Sequence, residues 1–304
     1  MKLRHLSGAF AAVAYALLLQ LLAGGCTFTK MQITRADETR VLPPTSVDTV
    51  KLYKLGDPAP QPYQVLGAVN ARKRTSSLVT KVPTETQIFS ALKKQAAGLG
   101  ADAIVGTYTT FEAYYHGRIG SALAVKFLPL GAQASRDTNS FMVAILPLVN
   151  HDAKDSFMSH EDDSVVCTTM QQYLTDRGYY APIVGGKMPV SSIEALSSLD
   201  SASLEQVGGV EMRNVMLLVL EKTAGASLVL VSGSSCLLNS WIYSKNLRKI
   251  LWDKPVIGSF AQGWIVTAME GGTRRKALIT AAKYLAESLP KRGSVVKLVP
   301  KQHK

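Results

Sequence analysis

Two apolar runs limit what this chain of 304 residues can fold into. One is Phe141-Met142-Val143-Ala144-Ile145-Leu146-Pro147-Leu148, and the other runs from Val215 to Glu221. A strand without polar alternation must be covered on both faces, so each run predicts a buried strand that needs helices or a second sheet as cover. Helical spacings supply that cover. Ile88, Leu92, Ala96 and Leu99 follow the start signal Pro83-Thr84-Glu85-Thr86, with Thr84 as N-cap, and stop at Gly100. Val166, Met170, Tyr173 and Leu174 mark a helix over 164–177, closed by Gly178. Two short helices follow, one through Ile193, Leu196 and Leu199 and one over 201–207. A last helix carries Ala277, Leu278, Ala281, Leu285 and Leu289 and ends before Pro290. The fold class is α+β (α/β layered): two domains, each a mixed sheet with helices packed against it.

The remaining strands are read as follows. Val50, Leu52 and Tyr53 form a first strand and Tyr63–Val69 a second, with a third ending at Phe111. Asn70 to Val82, with Arg72, Lys73 and Arg74, reads as a solvated loop or a basic patch. Tyr114, Tyr115, His116, Gly117 and Arg118 mark a hairpin turn or a loop that stacks on sugar or peptide. Tyr179–Ile183 is a further strand. A long strand runs from Leu228 to Trp241, and Ile250–Asp253 is its antiparallel partner. The domains fall at 47–130 and 139–290, preceded by a leader (1–25) and a flexible tether (26–46) and followed by a basic tail (291–304).

The leader fixes the setting. Lys2, Arg4 and His5 precede an apolar stretch from Ala9 to Leu22, and Ala23-Gly24-Gly25 lead into Cys26. A basic start, an apolar middle and a small-residue exit make a secretory signal. The run is shorter than the ~20 residues that span a bilayer. With cysteine directly after Ala-Gly-Gly, the segment resembles a bacterial lipoprotein signal. That resemblance implies cleavage before Cys26 and acylation of its thiol by diacylglycerol and palmitate. Thr27, where aspartate would retain a lipoprotein at the inner membrane, implies the outer membrane, facing the periplasm. The net charge of +12 then points to lipid head groups or other anionic envelope polymers, since a secreted chain does not normally meet nucleic acid.

Several side-chain groups are candidates for chemistry. Cys167 and Cys236 remain as a pair in an oxidising compartment and form either a disulfide or two buried thiols. His151, Asp152, His160 and Glu161 are the one titratable cluster and would serve a metal-dependent or acid/base hydrolase. Glu161-Asp162-Asp163 also suit the N-terminal end of a helix with no catalytic role, and no H-E-x-x-H spacing is present. Gly272-Thr273-Arg274-Arg275 opens a helix and would hold an anion through backbone N–H groups. No cofactor motif and no metal-ligand spacing is found.

Two resemblances place the domains. The helix running into Leu99-Gly100-Ala101-Asp102-Ala103-Ile104-Val105-Gly106 and its strand resemble the small envelope domains of the YbjQ and RcsF type, over 47–127. The cysteines that brace RcsF have no counterparts here. Ile145-Leu146-Pro147-Leu148-Val149-Asn150, Arg177-Gly178-Tyr179-Tyr180-Ala181-Pro182 and Lys249-Ile250-Leu251-Trp252 resemble Gram-negative outer-membrane lipoproteins with the periplasmic α/β domain of CsgG. No alternating strand pair long enough for added membrane-spanning hairpins is legible, so a pore is not implied. The resemblances imply a non-catalytic binding or assembly component of the envelope, with a protein partner or homo-oligomer. The alternatives are the hydrolase and an envelope-stress sensor.

Overall fold

The computed structural model describes residues 27–75, 82–112, 117–130, 141–151, 160–184, 190–209, 212–228, 231–263, 272–292 and 294–298. Its strands are β1 Thr27–Arg35, β2 Lys51–Lys54, β3 Tyr63–Thr75, β4 Ala103–Phe111, β5 Gly117–Phe127, β6 Val143–Ile145, β7 Val149–Asn150, β8 Asn214–Leu228, β9 Val231–Ser244, β10 Lys249–Gly263 and β11 Ser294–Leu298. Its α-helices are α1 Glu85–Gly98, α2 His160–Asp176, α3 Ile193–Ser198, α4 Ser201–Gln206 and α5 Thr273–Ser288. The α+β class with two mixed sheets is as expected.

The first sheet has six strands in the order β11-β1-β3-β5-β4-β2, antiparallel throughout except for β2 with β4. One face is covered by α1, which buries Ile88, Leu92 and Ala96 against Val69, Ile104, Ala122 and Ala124. Thr84 caps α1 by accepting from the Gln87 N–H at 3.3 Å, and Gly100 follows in the left-handed region at φ 77°.

The second sheet runs β10-β9-β8-β6, with β7 also on β8. The apolar run at 141–148 supplies β6, parallel to β8, and is buried from Phe141 to Leu146. Helix α5 lays Ala277, Leu278, Ala281 and Leu285 into the same core as Val166, Met170 and Leu174 of α2.

The two domains, one on each sheet, pack against each other. Ala68, Val105, Leu123 and Val125, on the face of the first sheet away from α1, belong to one core with Val143, Ile145, Met170, Leu174 and Tyr180. The first sheet is thus roofed by α1 on one side and by the second half of the chain on the other.

Several expectations are corrected. Residues 27–35 are not tether but β1, second in the sheet, because Met31 and Ile33 face α1 while Gln32 and Thr34 are buried at the seam with the second half. Their donors are paired there: Gln32 Nε2 donates to the Arg292 carbonyl at 2.6 Å and Thr34 Oγ1 to that of Gly178 at 2.7 Å, while Gln32 Oε1 is buried with no partner among the described residues. The tail is likewise structured at Ser294–Leu298, which pairs antiparallel with β1. Residues 70–75 continue β3 instead of forming a loop, since Arg72 and Arg74 find buried carboxylate partners. Tyr179–Ile183 makes only single bridges to Met142 and Ile145. The long strand expected from Leu228 to Trp241 is a hairpin instead: β8 runs to Leu228 and β9 starts at Val231. Strands β8, β9 and β10 have 15, 14 and 15 residues, so long antiparallel pairs are present after all. Among the described residues no helix is long and apolar enough to cross a membrane.

Candidate functional site: the start of β1 and the seam between the sheets

The most specific sequence signal, Cys26, lies outside the described residues. Thr27 is already in the ladder, opposite Thr75 of β3. The first sheet therefore begins at the residue that follows Cys26 in the sequence.

At the seam, β3 directs Asn70, Arg72 and Arg74 at α2. The Asn70 amide donates to the carbonyls of Thr175 (3.1 Å) and Tyr179 (3.4 Å), and its Oδ1 accepts from Ser121 at 2.5 Å. Arg72 and Arg74 both reach Glu112, at 2.8 and 2.7 Å, and Arg72 also pairs with Asp176. Lys30 completes the array, 3.8 Å from Asp176. Burial pushes the Asp176 carboxyl above its ordinary value, against the pull of Arg72 and Lys30. A buried pair stripped of one member typically costs about 3–5 kcal/mol, so this array locks the relative position of β3 and α2. Every carboxylate in it faces a cation, which suits rigid positioning.

The other candidates fall as follows. His151 is brought to Glu221 of β8, with Nδ1 3.2 Å from Oε2, and its Nε2 lies 3.1 Å from the Ser191 carbonyl. Asn239 of β9 donates to the other oxygen of Glu221 at 3.1 Å. Both imidazole nitrogens are therefore engaged within the protein. Asp152 and the side chains of His160 and Glu161 lie outside the described residues, as do Tyr114, Tyr115 and His116. Helix α2 begins at His160, so the acidic run 161–163 opens a helix as its dipole favours. Among the described residues no group of three or more potential ligands gathers to hold a metal.

Cys167 and Cys236 are two buried thiols and not a disulfide. The Cys167 thiol donates to the Leu146 carbonyl at 3.7 Å, while Cys236 stands on β9 opposite Gly258. Burial pushes the Cys236 thiol up to about 11, slightly offset by the Gly258 backbone and Arg274. At the start of α5, Gly272 adopts φ 86° and Thr273 shares a 2.7 Å hydrogen bond with Ser234. Nε and Nη2 of Arg274 are buried. Thr273 and Arg274 are thus turned into the protein and not toward an anion ahead of the helix; Arg275 is half-buried.

Sequence reasoning missed the residues that join the halves: Lys30, Gln32, Thr34, Asn70, Glu112 and Asp176. Their one signal is alternation in Met31-Gln32-Ile33-Thr34, where Met31, Gln32 and Thr34 prove buried and Ile33 half-buried.

No family model matches the chain, and no curated protein matches it. Solved structures resemble it in part. Lipoprotein GNA1162 of Neisseria meningitidis is 13% identical, over 41% of this chain and 84% of that one, with a TM-score of 0.29. The PelC dodecamer of Paraburkholderia phytofirmans is 15% identical, over 50% and 89%, with a TM-score of 0.31. A minor lipoprotein of Acinetobacter baumannii is 13% identical, over 50% and 96%, with a TM-score of 0.27. These are bacterial proteins, two of them described as lipoproteins. The YbjQ, RcsF and CsgG resemblances gain no family membership from the comparisons.

Proposed function

We propose that the chain is a lipid-anchored protein of the bacterial envelope, held by an acylated Cys26 and acting in binding or assembly rather than catalysis. The observation that supports this reading is the junction at Cys26. A basic, apolar and small-residue leader ends there, and the ladder of the first sheet starts at the next residue. Acyl chains contribute about 0.8 kcal/mol per buried CH₂, so several of them make a stable anchor. The aspartate-free start at Thr27 favours the outer membrane, facing the periplasm, with an envelope protein or a second copy as partner. His151, exposed and held by Glu221 and the Ser191 carbonyl, is read here as structural. Substituting Cys26→Ser in the native host tests the reading: the variant should accumulate as an unprocessed or soluble form lacking fatty acid by mass spectrometry. A Cys26→Ser protein that still fractionates as a mature membrane protein would overturn it.

A further inference from the structure

The registers of the first sheet gather one set of residues at the end where Cys26 attaches. Phe28 of β1 stands opposite Arg74 of β3, and Arg74 opposite Gly117 of β5. On the other face, Lys73 stands opposite Arg118, and Arg118 opposite Phe111 of β4. The row thus crosses four adjacent strands, with an aromatic ring at each side. Phe28 and Phe111 are both 58% exposed, among the most exposed large apolar residues of the described chain. The Arg118 guanidinium lies 3.9 Å over the Phe111 ring. Three cations, Lys73, Arg74 and Arg118, face two carboxylates, Glu112 with Arg74 and Glu85 with Arg118. The balance is positive. Leu298, the last residue of β11, pairs with Thr29, so β11 runs toward this same end.

Resting on the reading of Cys26 as the acylated residue, we infer that this end of the first sheet is a bilayer-contact surface for anionic phospholipid head groups. Phe28 and Phe111 enter the interfacial region there. The geometry leaves little choice of occupant. A tether of 20 residues would let the fold stand off, but here hydrogen bonding to β3 begins at Thr27, one residue past the anchor. The end row is thus held within a few ångströms of the head groups. Phe side chains on an apolar face bury at the boundary of head groups and acyl chains, and Lys and Arg beside them are drawn to an anionic surface. The strands then stand away from the membrane, with Arg35 and Gly67, nine residues along β1, about 25–30 Å out.

The test uses the acylated full chain in phosphatidylethanolamine–phosphatidylglycerol vesicles. An environment-sensitive fluorophore is placed through Phe28→Cys, Phe111→Cys or, at the exposed far end, Glu38→Cys. Cys167 and Cys236 are buried and spare the labelling. The expected result is blue-shifted emission at positions 28 and 111, quenched by nitroxide-bearing lipid several-fold more than at position 38. Using two positions on opposite faces guards against one variant failing to fold. If the protein floats with the vesicles but positions 28 and 111 match position 38, the contact surface is wrong and the anchor stands. If those positions are shielded from aqueous iodide yet untouched by the lipid quencher, a protein contact such as a second copy covers them, and the inference is overturned. Failure to float, with no fatty acid on Cys26, removes both readings together.

Discussion

The Tyr180 hydroxyl donates to the carbonyl of Gly106 at 2.8 Å, tying the strap after α2 to a bulge in β4. Gly106 adopts φ 60°, and a Cβ there would stand 2.1 Å from that hydroxyl oxygen. The contact therefore needs glycine twice, once for the backbone and once for space. Gly106→Ala should lower stability by about 1–3 kcal/mol, and Tyr180→Phe by about 0.5–1.5 kcal/mol. The double variant should lose less than the sum, because removing the hydroxyl relieves the clash. Urea unfolding of the four proteins measures the coupling, and strict additivity would count against the contact.

Asp176 gives the seam a pH signature. Burial raises its carboxyl above 3.8, the value expected in the unfolded chain. Below that value both states hold the proton. As pH rises past it the unfolded chain ionises first while the folded one keeps its proton, so the contribution of this group falls with rising pH until the folded carboxyl ionises. Compared with Asp176→Asn, the unaltered protein should therefore lose stability across the window just above pH 3.8. Unfolding midpoints from pH 3 to 7 check this, and parallel curves would refute it.

Lys245, in the turn between β9 and β10, donates to the carbonyls of Glu205 (2.8 Å), Val207 (3.1 Å) and Gly209 (2.8 Å). It closes the C-terminal end of α4, a place where a cation is favoured. Burial pushes the amine down to about 8, and the nearby Glu205 opposes the shift. The unfolded chain then binds more protons between about 8 and 10.5, and stability from this group rises with pH across that range. Lys245→Met should abolish the rise and lower stability at pH 7 through three unpaired carbonyls.

Both thiols are expected to stay unmodified by iodoacetamide in the native protein and to react once urea unfolds it. Cys167 is covered by the core, and Cys236 is both covered and held as the neutral thiol. Intact mass after timed alkylation reads this directly. Rapid native labelling at either position would contradict the packing.

Much of this structure is written in local signals, and those parts were legible. Thr84 and Gly100 bound α1, Gly178 ends α2, and the unbroken apolar run at 215–220 becomes the buried part of β8. What escaped is non-local. Strand β1 pairs with β11 from the far end of the chain, and no spacing within either segment announces the other. The inward polar residues of β1 and β3 look solvated until Arg292, Thr175, Glu112 and Asp176 arrive as partners. His151 is similar: its partners Ser191 and Glu221 come from two other segments, and Asn239, which holds Glu221, from a third. The proposed attachment point, Cys26, is legible in the sequence, whereas the described residues at that end of the sheet emerge only through strand register.

Gly258 decides how closely α5 approaches the second sheet. A Cβ on it would lie 2.2 Å from the Ala277 carbonyl and 2.7 Å from both the amide nitrogen and the Cβ of Ala281. Two of these three obstacles are helix backbone, which cannot rotate away, so the whole helix would have to shift. Gly258→Ala should therefore cost about 1–3 kcal/mol although it adds one methyl group. Trimming the neighbour in Gly258→Ala/Ala281→Gly should not restore stability, since the backbone contacts remain and a glycine inside a helix costs about 1 kcal/mol more. Gly258 stands opposite Cys236, so lifting α5 should also speed alkylation of Cys236 while leaving Cys167, which packs on Leu146, protected. Equal acceleration at both thiols would point to global loosening and would refute a local role for the glycine.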